Sequence, residues 1–241
     1  MFFDTEKIAK GRKVTFFDVT GSTNTDLIGM VKRGEADVGD VVAAARQTAG
    51  RGRRGNDFAS PDGGIYFSFA AQNNGGTLAT VCAGVAVANV LEEYGYLPSI
   101  KWVNDVLIGG KKVCGILAEA VSGTGLCVIG VGINLKSSAI PEELRESATA
   151  LDAENGTVPT AEELAGRVVS EYEKLAGKDA AAVVEEYKKY LSFLGKEIVI
   201  KQTGEVCTAL GVTSSGELEV VFRDGGRRIL NSGEISIKID R

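Results

Sequence analysis

A short glycine–arginine stretch, Gly50–Gly55 with the sequence GRGRRG, has residue types suited to binding anions. Glycines let the backbone approach a phosphate closely, and arginine guanidinium groups donate paired hydrogen bonds to phosphate or carboxylate. The spacing also fits the dinucleotide pattern G-x-G-x-x-G, but that pattern requires a helix directly after it, and turn-rich sequence follows here. Two interpretations of the stretch itself therefore stay open, an anion-binding loop and a flexible, solvated basic loop, and the neighbouring motifs must decide between them.

A second charged segment, Lys101–Asp105 with the sequence KWVND, is predicted to end a strand. Side chains alternate between the two faces of a strand, so every second residue of this segment is predicted to share a face. A Gly-Gly turn then leads to Lys111 and Lys112, and the apolar segment GILAE at 115–119 should hold at least one of them in place. These residues suit an anion site, although a buried tryptophan and a solvated lysine pair are also common in ordinary hairpins.

Two further polar clusters are weak signals when taken alone. Gly21–Asn24 contains Ser, Thr and Asn, which commonly cap a helix, and we predict a helix over Gly29–Arg33. Gly130–Leu135, with the sequence GVGINL, is predicted to be a buried strand with the polar Asn134 near its end.

The composition excludes several kinds of chemistry. The 241 residues include no histidine, which excludes Ser-His-Asp and Cys-His nucleophile systems and histidine-ligated zinc or haem. The formal net charge is −5, so any basic site must be local. Four cysteines lie far apart without a C-x-x-C pair, and we predict buried thiols at Cys82, Cys114, Cys127 and Cys207.

Nothing in the sequence predicts export or membrane insertion. No segment resembles a signal peptide or approaches the roughly 20 uninterrupted apolar residues that cross a bilayer. We therefore expect a cytoplasmic, reduced protein without a membrane partner. Its length is sufficient for one sizeable core and a small additional unit.

The order of predicted elements favours an α+β fold in two domains. Consecutive strands joined by tight turns follow a helix of small residues, which differs from the regular alternation of βαβ proteins. Two more helices follow, and after Leu194 five short strands separated by glycine turns predict a small barrel. We place the domains at 1–193 and 194–241. The predicted strands begin near Val14 and lie near 39–49, 65–71, 100–105, 106–121 and 126–135, the helices at 77–94, 160–176 and 179–193, and the last strand at 234–239.

Taken in order, five motifs resemble those of the biotin protein ligase family. They are S-T-N near the start, Q-x-A-G-R-G-R-x-G, K-W-x-N-D, G-K-K-x-x-G-I-L-x-E and G-x-G-I-N, and together they span Ser22–Leu135. The resemblance implies the biotin/lipoate ligase catalytic fold, which is similar to that of class II aminoacyl-tRNA synthetases: a mixed sheet flanked by helices, here followed by a small C-terminal SH3-like β-barrel. The predicted elements indicate the same architecture.

The resemblance implies an ATP-dependent ligase. Such an enzyme activates biotin with ATP and Mg²⁺ to biotinyl-5′-AMP, releases pyrophosphate, and transfers the biotinyl group to a lysine of a biotin carboxyl carrier protein, such as that of acetyl-CoA carboxylase. Joining a carboxylate to an α-phosphate brings two anions together, so the catalyst must supply cations and positioned donors rather than a nucleophile. This requirement fits a chain without histidine.

The resemblance also implies roles for individual residues. Asp105 would be a Mg²⁺ ligand, and Lys111 would be the spare of the lysine pair. The catalytic residues would be Lys112, Arg53 and Arg51. The biotin-binding residues would be Ser22, Thr23, Asn24, Gln47, Arg51, Gly52, Arg53, Lys112 and Gly115. The ATP-binding residues would be Lys101, Trp102, Asn104, Asp105 and Asn134.

Two departures from the family pattern affect the expectations. Val103 stands where the family often has proline, which loses a φ restraint without removing a ligand. Because the first predicted strand begins near Val14, we expect no N-terminal DNA-binding domain and no DNA partner. A monomer and a homodimer both fit the sequence.

Two other functions stay open at this point. One is a lipoate or octanoate ligase or transferase of the same fold. The other is a non-catalytic RNA-binding module that uses Gly50–Gly55 as a basic arm. If the ligase interpretation is right, the glycine-rich loop should be disordered without ligand and ordered over biotinyl-AMP.

Overall fold

A computed structural model describes residues 3–73, 75, 77–231 and 235–237 of the chain. These residues form a mixed seven-stranded sheet with helices packed against it, and then a separate five-stranded antiparallel sheet. The predicted α+β class, with a small β unit at the C-terminal end, is confirmed.

The large sheet has the spatial order β1-β2-β3-β7-β6-β5-β4. Only the β1–β2 pair is parallel among the pairs of this sheet that the structure describes. Its strands are β1 (Val14–Thr20), β2 (Val41–Gln47), β3 (Gly64–Gln72), β4 (Pro98–Lys101), β5 (Asp105–Ile108), β6 (Lys111–Val121) and β7 (Leu126–Asn134). The helices are α1 (Glu6–Ala9), α2 (Thr23–Lys32), α3 (Leu78–Glu93), α4 (Ala161–Ala176) and α5 (Ala180–Lys189).

Helices cover both faces of this sheet, which explains why its central strands are apolar along nearly their whole length. On one face Leu27 and Val31 of α2 pack against Val42, Ala70 and Val128 of the strands. On the other face α3, α4 and α5 pack in the main core. The many alanines and valines of α3, together with Gly84, allow it to be buried on nearly all sides.

Two helix predictions differ from the structure. The helix predicted over Gly29–Arg33 begins earlier, at Thr23, and Ser22 at its N-cap makes no capping hydrogen bond with its side chain. Thr23 and Asn24 therefore lie inside the first turn, buried, because their side chains bond to neighbouring strands instead. The last predicted helix ends at Lys189 rather than near residue 193.

The prediction of an extended strand through 101–105 is wrong. The chain turns at 102–104, between β4 and β5, so the two strands form a hairpin with Lys101 opposite Asp105. Trp102 and Val103 are both buried rather than on opposite faces, because each has a partner distant in sequence. The Trp102 Nε1–H donates to the Gly216 carbonyl at 3.0 Å, and the Tyr187 hydroxyl donates to the Val103 carbonyl at 3.1 Å.

The small sheet has the spatial order β11-β10-β9-β8-β12. Its edge strands do not pair with each other within the described residues, so no closed barrel is found there. Of the last predicted strand, 234–239, residues 235–237 form β12, and 234 and 238–239 lie outside the described residues. Its strands are β8 (Glu197–Ile200), β9 (Val206–Val212), β10 (Leu218–Phe222), β11 (Arg227–Leu230) and β12 (Ile235–Ile237).

The small sheet is joined to the larger unit at the 102–104 turn. Gly216, whose φ is +84°, approaches the start of α3 so closely that a Cβ there would lie 2.7 Å from the Val81 side chain. The Trp102 hydrogen bond to Gly216 therefore connects the two units at a point where a side chain would not fit. No helix of the described residues is long and apolar enough to span a bilayer.

We predict that Tyr187→Phe lowers the free energy of unfolding by about 1–2 kcal/mol, because the buried Val103 carbonyl loses its donor. Tyr94→Phe is the matched control, since the Tyr94 hydroxyl has no hydrogen-bond partner among the described residues. Urea unfolding of both variants checks this. Equal stability of the two variants would show that the hydroxyl does not hold the turn.

Candidate active site

A cavity of about 170 Å³ opens where the start of α2, the 47–58 segment, the 102–104 turn and strands β6 and β7 meet. The parallel strands β1 and β2 both end at this edge of the large sheet, and the helix α2 and the glycine–arginine loop follow them directly. Thirteen of the predicted site residues line the cavity, and Asn134 does not. The thirteen are Ser22, Thr23, Asn24, Gln47, Arg51, Gly52, Arg53, Lys101, Trp102, Asn104, Asp105, Lys112 and Gly115.

One end of the cavity is polar, and the Ser22, Thr23 and Asn24 side chains there are buried. The Asn24 Nδ2 group donates to the Leu117 carbonyl at 3.3 Å and to Glu119 Oε2 at 2.8 Å. Both partners only accept, so the amide is fixed with Oδ1 facing Ser68, whose hydroxyl donates to it at 2.6 Å. The single Ser68 hydrogen is used in this bond, so Ser68 Oγ accepts in its 2.7 Å contact with the Thr23 hydroxyl, for which Gln47 Oε1 at 3.2 Å is a second, longer acceptor.

The Gln47 amide is fixed in the same way. Its Oε1 accepts from the Thr23 backbone N–H at 2.9 Å, which can only donate. Its Nε2 donates to Ser60 Oγ at 2.9 Å, because the Ser60 hydroxyl is itself donated to the Phe58 carbonyl. Two hydrogen-bond acceptors and one donor are then left for a ligand: the lone pairs of Thr23 Oγ1 and Asn24 Oδ1, and one hydrogen on Gln47 Nε2.

Glycines form the floor of the cavity because the polar and aromatic groups above it lie too close for side chains. A Cβ at Gly130 would collide with the Asn24 amide. Gly115 and Gly132 are opposite partners on β6 and β7, and the Phe58 ring lies against both, 2.6 Å from the position of a Gly115 Cβ. The close approach therefore requires glycine at these three positions.

The other end of the cavity is charged. Lys112 Nζ and Asp105 Oδ1 form an ion pair at 2.6 Å, with about a third and a quarter of their side chains exposed. The amide of Asn104 is held across the hairpin, where Nδ2 donates to the Ile116 carbonyl at 3.0 Å and Oδ1 accepts from Arg53 at 3.5 Å. The turn, the loop and β6 thus meet at one point.

Cations outnumber acids around the cavity, although the whole chain is negative. The two lining carboxylates are Asp57 and Asp105. The arrangement can bind an anion with several charges. The six lining cations are Arg51, Arg53, Arg54, Lys101, Lys112 and Lys201.

Lys201 is a lining residue that the sequence did not predict. It follows β8 in the small sheet, about 90 residues after Lys112, and reaches the cavity only because the two units pack together. No local pattern near residue 201 indicates a ligand site. Phe58 and Ser60 were also not assigned, because an aromatic residue and a serine in a turn-rich segment carry no signal of their own.

A second cavity of about 270 Å³ shares Lys112 and Phe58 with the first. Asn134 lines this one, and its Nδ2 donates to the Thr149 carbonyl at 3.1 Å. Much of its remaining lining is apolar and includes Ala139, Ile140, Pro141 and Leu144. Lys112 therefore lies between a polar and charged cavity on one side and a flatter, more apolar one on the other.

The described residues contain neither a cluster of several metal-binding side chains nor a thiol suited to act as a nucleophile. No group of three or more Asp, Glu, Cys or His residues is arranged there to hold a metal ion. The four cysteines are buried free thiols, as predicted. Burial raises the pKa of Cys82 to about 12 and that of Cys127 to about 11, so neither is a thiolate at neutral pH.

The sequence profile of the Biotin/lipoate A/B protein ligase family matches residues 16–134. Two curated relatives are similar to the chain over comparable regions. A biotin--[acetyl-CoA-carboxylase] ligase of Mycobacterium tuberculosis is 34% identical over 165 residues, 64% of this chain and 60% of the relative. The bifunctional ligase/repressor BirA of Bacillus subtilis is 34% identical over 157 residues, 61% of this chain and 48% of the relative. The chain thus spans about half the length of such relatives.

A solved structure matches nearly the whole chain. It is a biotin protein ligase from Aquifex aeolicus in complex with biotin and ATP, with a TM-score of 0.82 and 26% identity. The match covers 95% of this chain and 99% of that one. The similarity therefore includes the small C-terminal sheet as well as the large one.

We predict that Lys201→Glu weakens the binding of inorganic pyrophosphate about three- to tenfold, because one cation of the cavity becomes an anion. Lys196→Glu is the matched control, since Lys196 is exposed in the same unit and does not line the cavity. Isothermal titration calorimetry at two salt concentrations measures the effect, which should shrink at the higher one. Equal affinities of the two variants for pyrophosphate would show that Lys201 does not contribute to the binding site.

Proposed function

Since the chain belongs to the Biotin/lipoate A/B protein ligase family, we propose that it activates biotin with ATP and then attaches it to a protein. In the first step the biotin carboxylate attacks the α-phosphorus of ATP, giving biotinyl-5′-AMP and pyrophosphate. In the second step a lysine amine of a biotin carboxyl carrier protein attacks the biotinyl carbonyl carbon, loses a proton and displaces AMP. An amide bond results.

The observation that carries this proposal is the fixed hydrogen-bond pattern at the polar end of the cavity. A cyclic urea, the head group of biotin, has two N–H donors and one carbonyl acceptor. The cavity offers two acceptors, Thr23 Oγ1 and Asn24 Oδ1, and one donor on Gln47 Nε2. Ser22, also buried there, adds a hydroxyl at the rim. The numbers and types of groups are complementary.

The same pattern disfavours lipoate as the substrate. The dithiolane ring of lipoate has neither N–H donors nor a carbonyl, so the buried acceptors and donor would lose water without gaining partners. A site built around buried polar groups rejects a ligand that leaves them unpaired far more strongly than an apolar site rejects a small change in size. Octanoate would be rejected for the same reason.

The charged end suits the reaction centre between the two cavities. Lys112 lines both cavities, so a phosphate beside its ammonium group would lie between the biotin chain and the nucleoside. Arg53 and Lys112 would neutralise charge as the carboxylate and the α-phosphate approach each other. Lys101 and Lys201 also line the first cavity, and we infer that they would hold the leaving pyrophosphate.

The second cavity suits the nucleoside. A nucleobase is flat, largely apolar on its faces and polar at its edge, which matches the apolar lining that includes Ala139, Ile140 and Leu144. Asn134 could bond to the base edge once its present partner, the Thr149 carbonyl, is shared. This placement keeps Asn134 among the ATP-binding residues.

Asp105 is the residue that would hold Mg²⁺. Its Oδ1 atom is buried and makes no aligned hydrogen bond within the described residues, although it pairs with Lys112. A single carboxylate fits an ion that keeps several waters and takes its other ligands from phosphates. When bound with ATP, Mg²⁺ would neutralise phosphate charge, and Asp105 would orient it from the side of the turn.

The glycine–arginine loop would exclude water from the adenylate. Biotinyl-AMP is a reactive mixed anhydride, and closure of Gly50–Gly55 over it would prevent hydrolysis before the carrier arrives. Arg54 and Gly55 have positive φ values of 58° and 78°, so the loop is tightly turned.

The biotin carboxyl carrier protein is proposed as partner because two relatives are named for ligation to acetyl-CoA carboxylase. A cytoplasmic location and the absence of a DNA partner stay predictions from the sequence. So does the assembly of the chain as a monomer or a homodimer.

Biotin-dependent release of pyrophosphate from ATP and Mg²⁺ tests the proposal, with lipoate and octanoate run in parallel and mass spectrometry of the bound product. We expect release with biotin and protein-bound biotinyl-AMP. Release with lipoate instead would move the chain to the lipoate branch of the family. No release of pyrophosphate with any of the three acids would contradict adenylation altogether.

We predict that Lys112→Ala slows adenylation by about 10²–10³-fold, because a cation at the point of developing charge is lost. Lys111→Ala is the matched control: its ammonium group bonds to the Arg145 carbonyl outside the cavity. Single-turnover formation of biotinyl-AMP, with urea unfolding to confirm that both variants are folded, measures the difference. A wild-type rate of adenylation in Lys112→Ala would show that Lys112 is not part of the reaction centre.

A further inference from the structure

Glu119 connects two parts of the site that no motif relates to each other. It lies on β6, and its carboxylate accepts hydrogen bonds from the Arg51 guanidinium and from the Asn24 amide. Arg51 belongs to the glycine–arginine loop, and Asn24 to the polar end of the cavity. One carboxylate is therefore shared between the loop and the head-group pocket.

The contact with Asn24 determines what the pocket offers to a ligand. Of the two acceptors that fix the Asn24 amide, Glu119 is the closer, at 2.8 Å, compared with 3.3 Å for the Leu117 carbonyl. Without a partner at Glu119, the amide would lose its better acceptor and with it the preference that points Oδ1 toward Ser68. Asn24 Oδ1 can accept a hydrogen bond from a urea N–H only while the amide keeps that orientation.

The contact with Arg51 holds the beginning of the loop. Arg51 Nη2 lies within hydrogen-bond distance of both oxygens of Glu119, one of them at 2.6 Å. The loop is anchored independently at the other end of the pocket, where Gln47 donates to Ser60 and Ser60 to the Phe58 carbonyl. Gly50, between these anchors, has no space for a Cβ.

We infer that Glu119 is a positioning residue that couples recognition of the biotin head group to retention of the loop over the adenylate. The inference rests on the proposed function and extends it to a residue outside the loop and the nucleotide-binding turn. A ligand that fixes the Asn24 amide also fixes the carboxylate to which Arg51 binds. The loop is then held most firmly when the correct head group is present, and equally the closed loop strengthens binding of the head group.

Two substitutions separate the two contacts. In Glu119→Gln the amide oxygen still accepts from Asn24, but the charge that attracts Arg51 is lost. We expect the Michaelis constant for biotin to rise about threefold, because the freed loop no longer strengthens head-group binding, and the release of biotinyl-AMP to quicken about tenfold. In Glu119→Ala both contacts are lost, so the Michaelis constant should also rise about tenfold or more. Glu35→Gln, which removes the charge of an exposed ion pair with Arg33, is the matched control.

Wild-type protein and the three variants are compared by adenylation kinetics over a range of biotin concentrations and by the rate at which preformed biotinyl-AMP leaves the protein. Faster release in both Glu119 variants, with a rise in the Michaelis constant that is smaller in Glu119→Gln than in Glu119→Ala, supports the coupling, since a merely destabilised fold would change both quantities to the same extent in the two variants. Unchanged release in Glu119→Gln and Glu119→Ala overturns it. If wild-type protein forms no biotinyl-AMP, the proposed function fails and the inference falls with it.

Discussion

The polar end of the cavity depends on one constraint: each chain of hydrogen bonds ends on an atom that can only accept or only donate. The Leu117 and Phe58 carbonyls and the Thr23 N–H fix the direction of every bond between them. Because Asn24 is buried and Gln47 is half-buried, reversing either amide would leave a polar atom without a partner. The pocket therefore has one preferred arrangement, and its glycine floor leaves room for it.

The second constraint is electrostatic. The proposed reaction joins a carboxylate to a triphosphate, two anions that repel each other, so it requires positive charge to be collected in a chain whose net charge is −5. The fold achieves this by bringing cations from the loop, the β4–β5 hairpin, β6 and the small C-terminal sheet to one cavity. No histidine is needed, because charge neutralisation and placement, rather than proton transfer by a side chain, limit the joining of two anions. Lys112 is central because it alone of the described cations lines both cavities.

Much of the site was predictable because five motifs, several of them weak signals alone, occur in the same order as in one known family. Ser22, Gln47, Arg53 and Lys112 were identified in this way and all line the cavity. Tertiary contacts were not predictable. Ser68 sits in an apolar strand, and Lys201 and Gly216 reach the site only through packing of the second sheet. The alternation expected through 101–105 failed because Trp102 and Val103 bond to residues more than 80 positions away.

Selection of a cyclic urea by this fixed pattern is the central claim, and direct binding measurements test it without requiring turnover. Calorimetric titration with biotin, desthiobiotin and lipoate compares a full ligand, one that keeps the urea and lacks the sulfur ring, and one that has no urea. We expect desthiobiotin to bind within about tenfold of biotin and lipoate to bind at least about 10³-fold more weakly. Comparable affinity for lipoate would contradict the account, because the hydrogen-bond donors and acceptors of the pocket would then not determine which ligand binds.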